Sequence, residues 1–248
     1  MSLTDKEYLR FSRHIMLDEI GEAGQVTIKN AHVLIVGMGG LGCAAAQYLA
    51  SAGIGKLTLI DNDNVERSNL QRQILYTDAD IRSAKVVAAK NKLTLINPQL
   101  KITTFEQSVF DIALPEQLTN VDVVLDCTDN IDTRYFINQA CVVAHTKLVS
   151  AAAIQGTGQL ISFDFSQQRS PCYQCLVPEK PSAIRNCSSL GVLSPLLGVM
   201  GSLQATEVFR LILGQHKQLN QLLIFDAWKM TFNSFTLTAD PKCKCCTN

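Results

Sequence analysis

Three sets of residues in this sequence have the types and spacing for chemistry. Cys172-x-x-Cys175 and Cys243-x-x-Cys246 are two thiolate pairs of the kind that close a tetrahedral zinc site. A redox dithiol is the rival reading, yet it needs only one pair, and four thiolates suit zinc best. The expected work of such a site is to staple the chain's tail to a lobe, with Cys245 as a substitute ligand. The second set is Gly37, Gly39 and Gly42, spaced G-x-G-x-x-G with Gly40 between them. They follow the apolar run Val33-Leu34-Ile35-Val36 and precede small residues, the strand–turn–helix order in which backbone N–H groups face an anion. The third set is charged: Arg13, Arg72 and Lys85 with Asp61, Asp63 and Asp129. That is more charge than a dinucleotide's pyrophosphate needs. It suits a triphosphate with Mg²⁺, where cations stabilise charge developing as a phosphorus–oxygen bond breaks.

Two absences narrow the chemistry. No G-K-[ST] follows the glycines, which excludes a P-loop enzyme. His14, His32, His145 and His216 sit in no triad-like context, so no general base is evident. A substrate carboxylate attacking the α-phosphate needs none, because it is already ionised near neutral pH.

The elements that must hold these groups follow from periodicity. Thr4 or Ser2 caps a first helix whose apolar positions include Tyr8, Phe11 and Ile15, and Arg10 and Arg13 share one of its faces. On spacing alone those arginines read as a solvated surface. Gly21 and Gly24 are expected to break the helix and lead to the first strand. A second strand, Lys56–Ile60, ends at Asp61, the expected partner of a ribose hydroxyl. To this point an NAD-dependent dehydrogenase fits equally well. The stretch from Asp61 through Ser68, Asn69, Gln71, Arg72 and Gln73 fits it less well. It is dense in polar groups, yet Leu70, Ile74 and Leu75 mark it as packed, so its polar groups read as ligands.

Ser83 is expected to cap a helix over 84–97, with Lys85 opposing the dipole in its first turn; it either faces an anion or is a tolerated surface lysine. Residues 121–127 read as a buried parallel strand with Thr128-Asp129-Asn130 at its carboxyl end, where open α/β sheets bind ligands. Asp129 then holds a metal or nucleotide, or caps the next helix, a task Asn130 can equally supply. Residues 159–165 are expected to turn the sheet antiparallel. Residues 166–189 are aperiodic with three prolines, and read as a metal lobe plus a mobile loop; a long helix, two strands and the cysteine-rich tail follow. The fold class is α/β, a Rossmann-like doubly wound, mostly parallel sheet continued by antiparallel strands.

Bulk properties set the surroundings. A chain of 248 residues with formal net charge +0 gives no reason to expect nucleic acid or an anionic membrane as partner. The polar residues 2–7 carry no signal-peptide pattern, and the apolar run 190–213 contains Pro195, Gln204, Glu207 and Arg210, which suits a buried helix. Nine cysteines without a secretion signal suggest reduced thiols in a cytoplasm. Cys187, beside Arg185 and just before the apolar helix, reads either as a thiol activated by a neighbouring cation and helix N-terminus or as a bystander.

Taken together, Arg10-x-x-Arg13-x-x-x-Leu17, the Gly37–Gly42 turn, Asp61-x-Asp63, Ser68-Asn69-Leu70-Gln71-Arg72-Gln73, Lys85, Asp126-Cys127-Thr128-Asp129-Asn130 and both cysteine pairs closely resemble the ThiF/MoeB/HesA family of ubiquitin-activating-like adenylyltransferases, over residues 8–246. The resemblance implies one adenylation domain over 1–248, with a nucleotide-binding core at 31–153 and a zinc lobe and mobile loop at 166–189 plus 240–248. It implies ATP- and Mg²⁺-dependent adenylation of the C-terminal glycine of a ubiquitin-like sulfur-carrier protein, with zinc bound. It implies a homodimer in which Arg13 reaches the neighbouring protomer's nucleotide, and a Cys187 that captures the activated carrier. Residues 8–20, Cys172-Tyr-Gln-Cys-Leu-Val-Pro and Arg185-Asn-Cys187 look more like the thiazole-pathway member, and residues 42–53 more like the molybdopterin member. No rhodanese-like extension follows the tail, so a separate sulfur-donor protein is expected. A non-catalytic scaffold for a ubiquitin-like protein predicts no need for the phosphate cations. A tRNA-modifying dehydratase shares the glycine turn, but balanced charge and paired cysteines argue against it.

Overall fold

The computed structural model describes residues 2–167, 170–178, 190–215 and 219–247. Helix α1 (Asp5–Ile15) opens with a capping box: Thr4 accepts from the Glu7 amide and Glu7 reaches back to Thr4. Gly21 breaks the chain as expected, but Gly24 does not; it lies inside a second helix, α2 (Gly21–Asn30). Leu213 and Ile20 pack onto that glycine, and this contact outweighs its weak helix propensity.

Strands β1 (His32–Val36), β2 (Lys56–Ile60), β3 (Lys101–Phe105), β4 (Val123–Asp126) and β5 (Lys147–Ile154) form the parallel part of one eight-stranded sheet. Helices α3 (Gly40–Ser51), α4 (Lys85–Ile96) and α6 (Ile131–Val143) cross between them, and a short α5 (Leu114–Gln117) precedes β4. Beyond β5 the sheet turns antiparallel through β6 (Thr157–Phe163), β7 (Gln221–Asp226) and β8 (Thr231–Thr236), giving the order β3-β2-β1-β4-β5-β6-β7-β8. The expected doubly wound sheet with an antiparallel continuation is what the chain forms.

Successive residues of β1 point to opposite faces, and both faces are covered. Val33 and Ile35 join α3, α4 and the long α8 (Ser194–Ile212) in one core. Leu34 and Val36 join Ile137 and Cys141 of α6, and that second core runs out to Cys172 and Cys243. α8 buries Leu197, Met200 and Val208 inside the protein, and among the described residues no helix is long and apolar enough to cross a membrane.

Candidate active site and metal centre

β2 lies on one side of β1 and β4 on the other, so the crossovers leaving β1 and β4 diverge and open a crevice at the strands' carboxyl ends. A cleft of about 430 Å³ lies there. Its wall is the glycine turn. Gly37 takes φ +92, and a Cβ on it would stand 2.8 Å from the Cys127 carbonyl. Gly42 lets the first turn of α3 close onto the turn: its Cβ would lie 2.0 Å from the Gly37 carbonyl oxygen. No side chain caps α3, which leaves its opening amides to a ligand. Gly37, Gly39 and Gly40 line the cleft, whereas Gly42 serves the turn from behind.

Asp61 closes β2 and lines the cleft, its carboxylate accepting from the Met38 amide at 2.6 Å and the Asp63 amide at 2.8 Å. Burial raises its pKa, opposed by the charge of Lys85. Lys85 is the first residue of α4, itself buried, with Nζ 2.7 Å from Asp63 Oδ2. Its position opposing the dipole is therefore compensated by Asp63 as well as offered to the cleft. The cap expected of Ser83 is not made: Ala84 precedes the helix without a side-chain bond, and the Ser83 carbonyl pairs with Val65 instead.

Asn69, Gln71, Arg72 and Gln73 all border the cleft. Arg72 donates to the Ser68 carbonyl at 3.0 Å, and Gln73 is buried with an Oε1 that no group among the described residues satisfies. Ser68 turns away; its hydroxyl bonds Glu66 and it is not part of the lining. Opposite, Asn130 Oδ1 accepts from the Thr133 amide at 2.9 Å and caps α6. That leaves the exposed Asp129 free of the capping task and on the cleft wall.

Sequence reasoning missed Arg134, which is buried at the cleft and ion-paired with Asp126 at 3.4 Å. An arginine one turn beyond a cap at a strand's carboxyl end was the available signal. Arg13 is not in the cleft. With Tyr48, His14 and Phe209 it lines a separate cavity of about 170 Å³. None of His14, His32 and His145 borders the cleft: His32 is buried between the Asn120 carbonyl and Thr58, and His145 faces the Phe165 carbonyl. Cys187, Arg185 and His216, and most of the expected mobile loop, lie outside the described residues.

Cys172 and Cys175, at the start of a short α7 (Tyr173–Leu176), meet Cys243 and Cys246 of the tail. All four sulfurs lie within 4.8 Å of one another. The Cys172–Cys243 pair is 3.7 Å apart and the Cys175–Cys246 pair 3.5 Å. A tetrahedral ion with Zn–S bonds of about 2.3 Å would set sulfurs about 3.8 Å apart, so the four residues fit zinc. A disulfide would need about 2.0 Å. Cys245 stands beside the set rather than in it, accepting from Asn138 Nδ2 at 3.2 Å. Hydrogen bonds from Cys245, then Asn138, hold the Cys172 thiol down at about 5 against burial, readying it as a thiolate ligand.

The family profile described as "ThiF family" matches residues 11–246. The sulfur carrier protein ThiS adenylyltransferase of Escherichia coli K12 is 42% identical over 244 residues, 98% of this chain and 97% of the relative. The molybdopterin-synthase adenylyltransferase of the same strain is 44% identical over 245 residues, 98% of each chain. A crystal structure of Escherichia coli MccB with AMPCPP and selenomethionine MccA superposes with a TM-score of 0.84 over 100% of this chain and 75% of that one, at 23% identity, a likeness of fold. Because the profile spans the glycine turn, the Asp61–Gln73 stretch, the Asp129 loop and both cysteine pairs, the chain belongs to the ThiF family.

Proposed function

We propose that this protein uses ATP to adenylate the C-terminal glycine carboxylate of a ubiquitin-like sulfur-carrier protein, releasing pyrophosphate. The observation that carries the proposal is the cleft itself. A backbone anion cradle, the cations Arg72, Lys85 and Arg134 and the carboxylate of Asp129 converge on one space, and no histidine among the described residues joins them. Asp61 would hold the ribose, with Asn69, Gln71, Gln73 and Asn130 beside the nucleotide. Arg72 and Lys85 would take the phosphates, and Asp129 would hold Mg²⁺, which neutralises charge on the leaving pyrophosphate. The ionised carrier carboxylate attacks the α-phosphorus, its bond to pyrophosphate breaks, and no proton need be removed. The residues of one domain, 1–248, serve this reaction, with 31–153 as the nucleotide-binding core and the lobe at 166–189 plus 240–248 held by zinc. The proposal includes a homodimer whose Arg13 acts in trans.

For the pathway, we favour the carrier of thiazole synthesis, on residues 8–20 and the sequences around Cys172 and Cys187, with Cys187 capturing the activated carboxyl and a separate protein donating sulfur. Residues 42–53 favour the small subunit of molybdopterin synthase instead, and identities of 42% and 44% to relatives of both kinds weigh about equally. The test is to mix purified protein, Mg·ATP and each candidate carrier and read intact masses. One carrier should gain an AMP. A gain on neither, with ATP raising the melting temperature, would favour a non-catalytic scaffold.

A further inference from the structure

The cysteine cluster and the cleft are joined by one polar stripe along α6. Asn130, Arg134 and Asn138 lie four residues apart, so they follow one face of the helix from the cleft outward. At the cleft end, Arg134 donates to the carbonyl of Thr128, the residue before Asp129, and to Ser150 Oγ at 3.0 Å and the Ala151 carbonyl at 2.8 Å. Asp126, paired with Arg134, fixes the same turn by accepting from the Thr128 amide at 3.0 Å and hydroxyl at 2.6 Å. Outward, the Arg134 guanidinium sits 5.8 Å from the centre of the Tyr173 ring. Tyr173 follows Cys172, and its amide donates to Asn138 Oδ1 at 2.8 Å, while Asn138 Nδ2 reaches Cys245 at 3.2 Å. Arg134 and Asn138 are both buried, 6% and 0% exposed, so neither can trade these partners for water without moving the helix.

We infer that Arg134 is a positioning residue that couples the cysteine cluster to the Thr128–Asp129 turn, so that a filled cluster and a bound Mg·nucleotide each strengthen the other. The inference rests on the adenylyltransferase reading of the cleft. The element with two states is the cluster, whose four sulfurs a bound metal would hold as thiolates, and Tyr173 is the residue that follows Cys172. Coupling between two binding sites is reciprocal, so it can be read from the metal side without catalysis.

The test uses the zinc-loaded protein without carrier, titrated with a colorimetric zinc chelator in the presence and absence of saturating Mg·ATP. Mg·ATP should raise the chelator concentration needed to extract half the zinc about tenfold, within the usual range for coupled sites. In Arg134→Lys, whose ammonium cannot serve the planar set of partners, the shift should vanish while zinc content stays at one per chain. Tyr173→Phe should keep the shift and Tyr173→Leu lose it; this pair carries the test if the arginine variant does not fold. A tenfold shift surviving in Tyr173→Leu or in folded Arg134→Lys would overturn the inference, because nucleotide would then be stabilising the whole fold. No shift in the wild type would overturn it too. If Mg·ATP still raised the melting temperature of that sample, the reading of the cleft would stand; if it did not, both would fall.

Discussion

The cleft and the cysteine cluster are built by opposite means. Three walls of the cleft come from turns that immediately follow parallel strands: the glycines after β1, Asp61 after β2, Thr128 to Asn130 after β4. The sheet fixes those turns whether or not a ligand is present. The cluster instead joins α7 to the far tail, two segments that share no strand, through thiols on the edge of the second core. The cleft is therefore a pre-organised site, and the cluster one that a bound metal would complete. Removing a group from the first should cost chemistry and spare the fold; removing one from the second should cost the fold locally.

The largest effect belongs to the cluster. Zinc binding to small thiolate sites contributes roughly 10 kcal/mol or more to their folding. Cys243→Ser should abolish stoichiometric metal and free the tail to proteolysis, with a lower melting temperature. Metal-free wild-type protein of unchanged stability, or a disulfide in either pair, would erase the distinction.

Next is Arg13, which the structure leaves outside the cleft. Loss of a group that stabilises developing charge costs about 10²–10³ in kcat. Arg13→Ala should lose carrier-dependent ATP–pyrophosphate exchange by that factor with an unchanged melting temperature, and mixing it with Asp129→Ala protein should restore part of the activity through heterodimers. Full activity in Arg13→Ala alone would end its role. Cys187→Ser should keep adenylation and exchange yet lose any thiol-sensitive adduct with the carrier on non-reducing gels. Wild type without such an adduct, given carrier, ATP and sulfur donor, would make Cys187 a bystander.

The smallest effect lies at the other end of the sheet. Burial lowers the pKa of His32, which lies against Asn120 and Thr58. The unfolded chain therefore takes up this proton first as pH falls below about 6.5, and stability drops from there by at most about 1.4 kcal/mol per pH unit. The drop is absent above that pH. His32→Gln should flatten this part of the melting-temperature profile; an unchanged slope would assign it to other groups.

The same contrast decides what the sequence discloses. Strand–glycine–helix order, Asp61 and the Thr128–Asn130 turn are local patterns, and the sheet that carries them was legible down to its antiparallel turn. The cysteine spacing picked out the four thiols that the fold gathers, because two thiol pairs announce themselves without knowledge of the fold. What stayed hidden depends on partners distant in the chain. Gly24 is helical because Leu213 packs on it. Lys85 is held by Asp63 across a loop, and Ser83 makes no cap because the helix begins one residue later, with Ala84 at its N-cap. Arg134 acquires its place from Ser150 and Ala151 on a strand that comes after it. Ser68 matches the motif by type but points its hydroxyl at Glu66.

The central claim is that the cleft activates a carboxylate with ATP and without a base, and Asp129 tests it most directly. Wild-type and Asp129→Ala protein should be compared for carrier-dependent exchange of labelled pyrophosphate into ATP at saturating Mg²⁺. The account predicts exchange in the wild type only with carrier present, and a loss of at least about 10²-fold in Asp129→Ala with the fold and zinc content intact. Exchange of equal size in the two proteins, or exchange that needs no carrier, would contradict it.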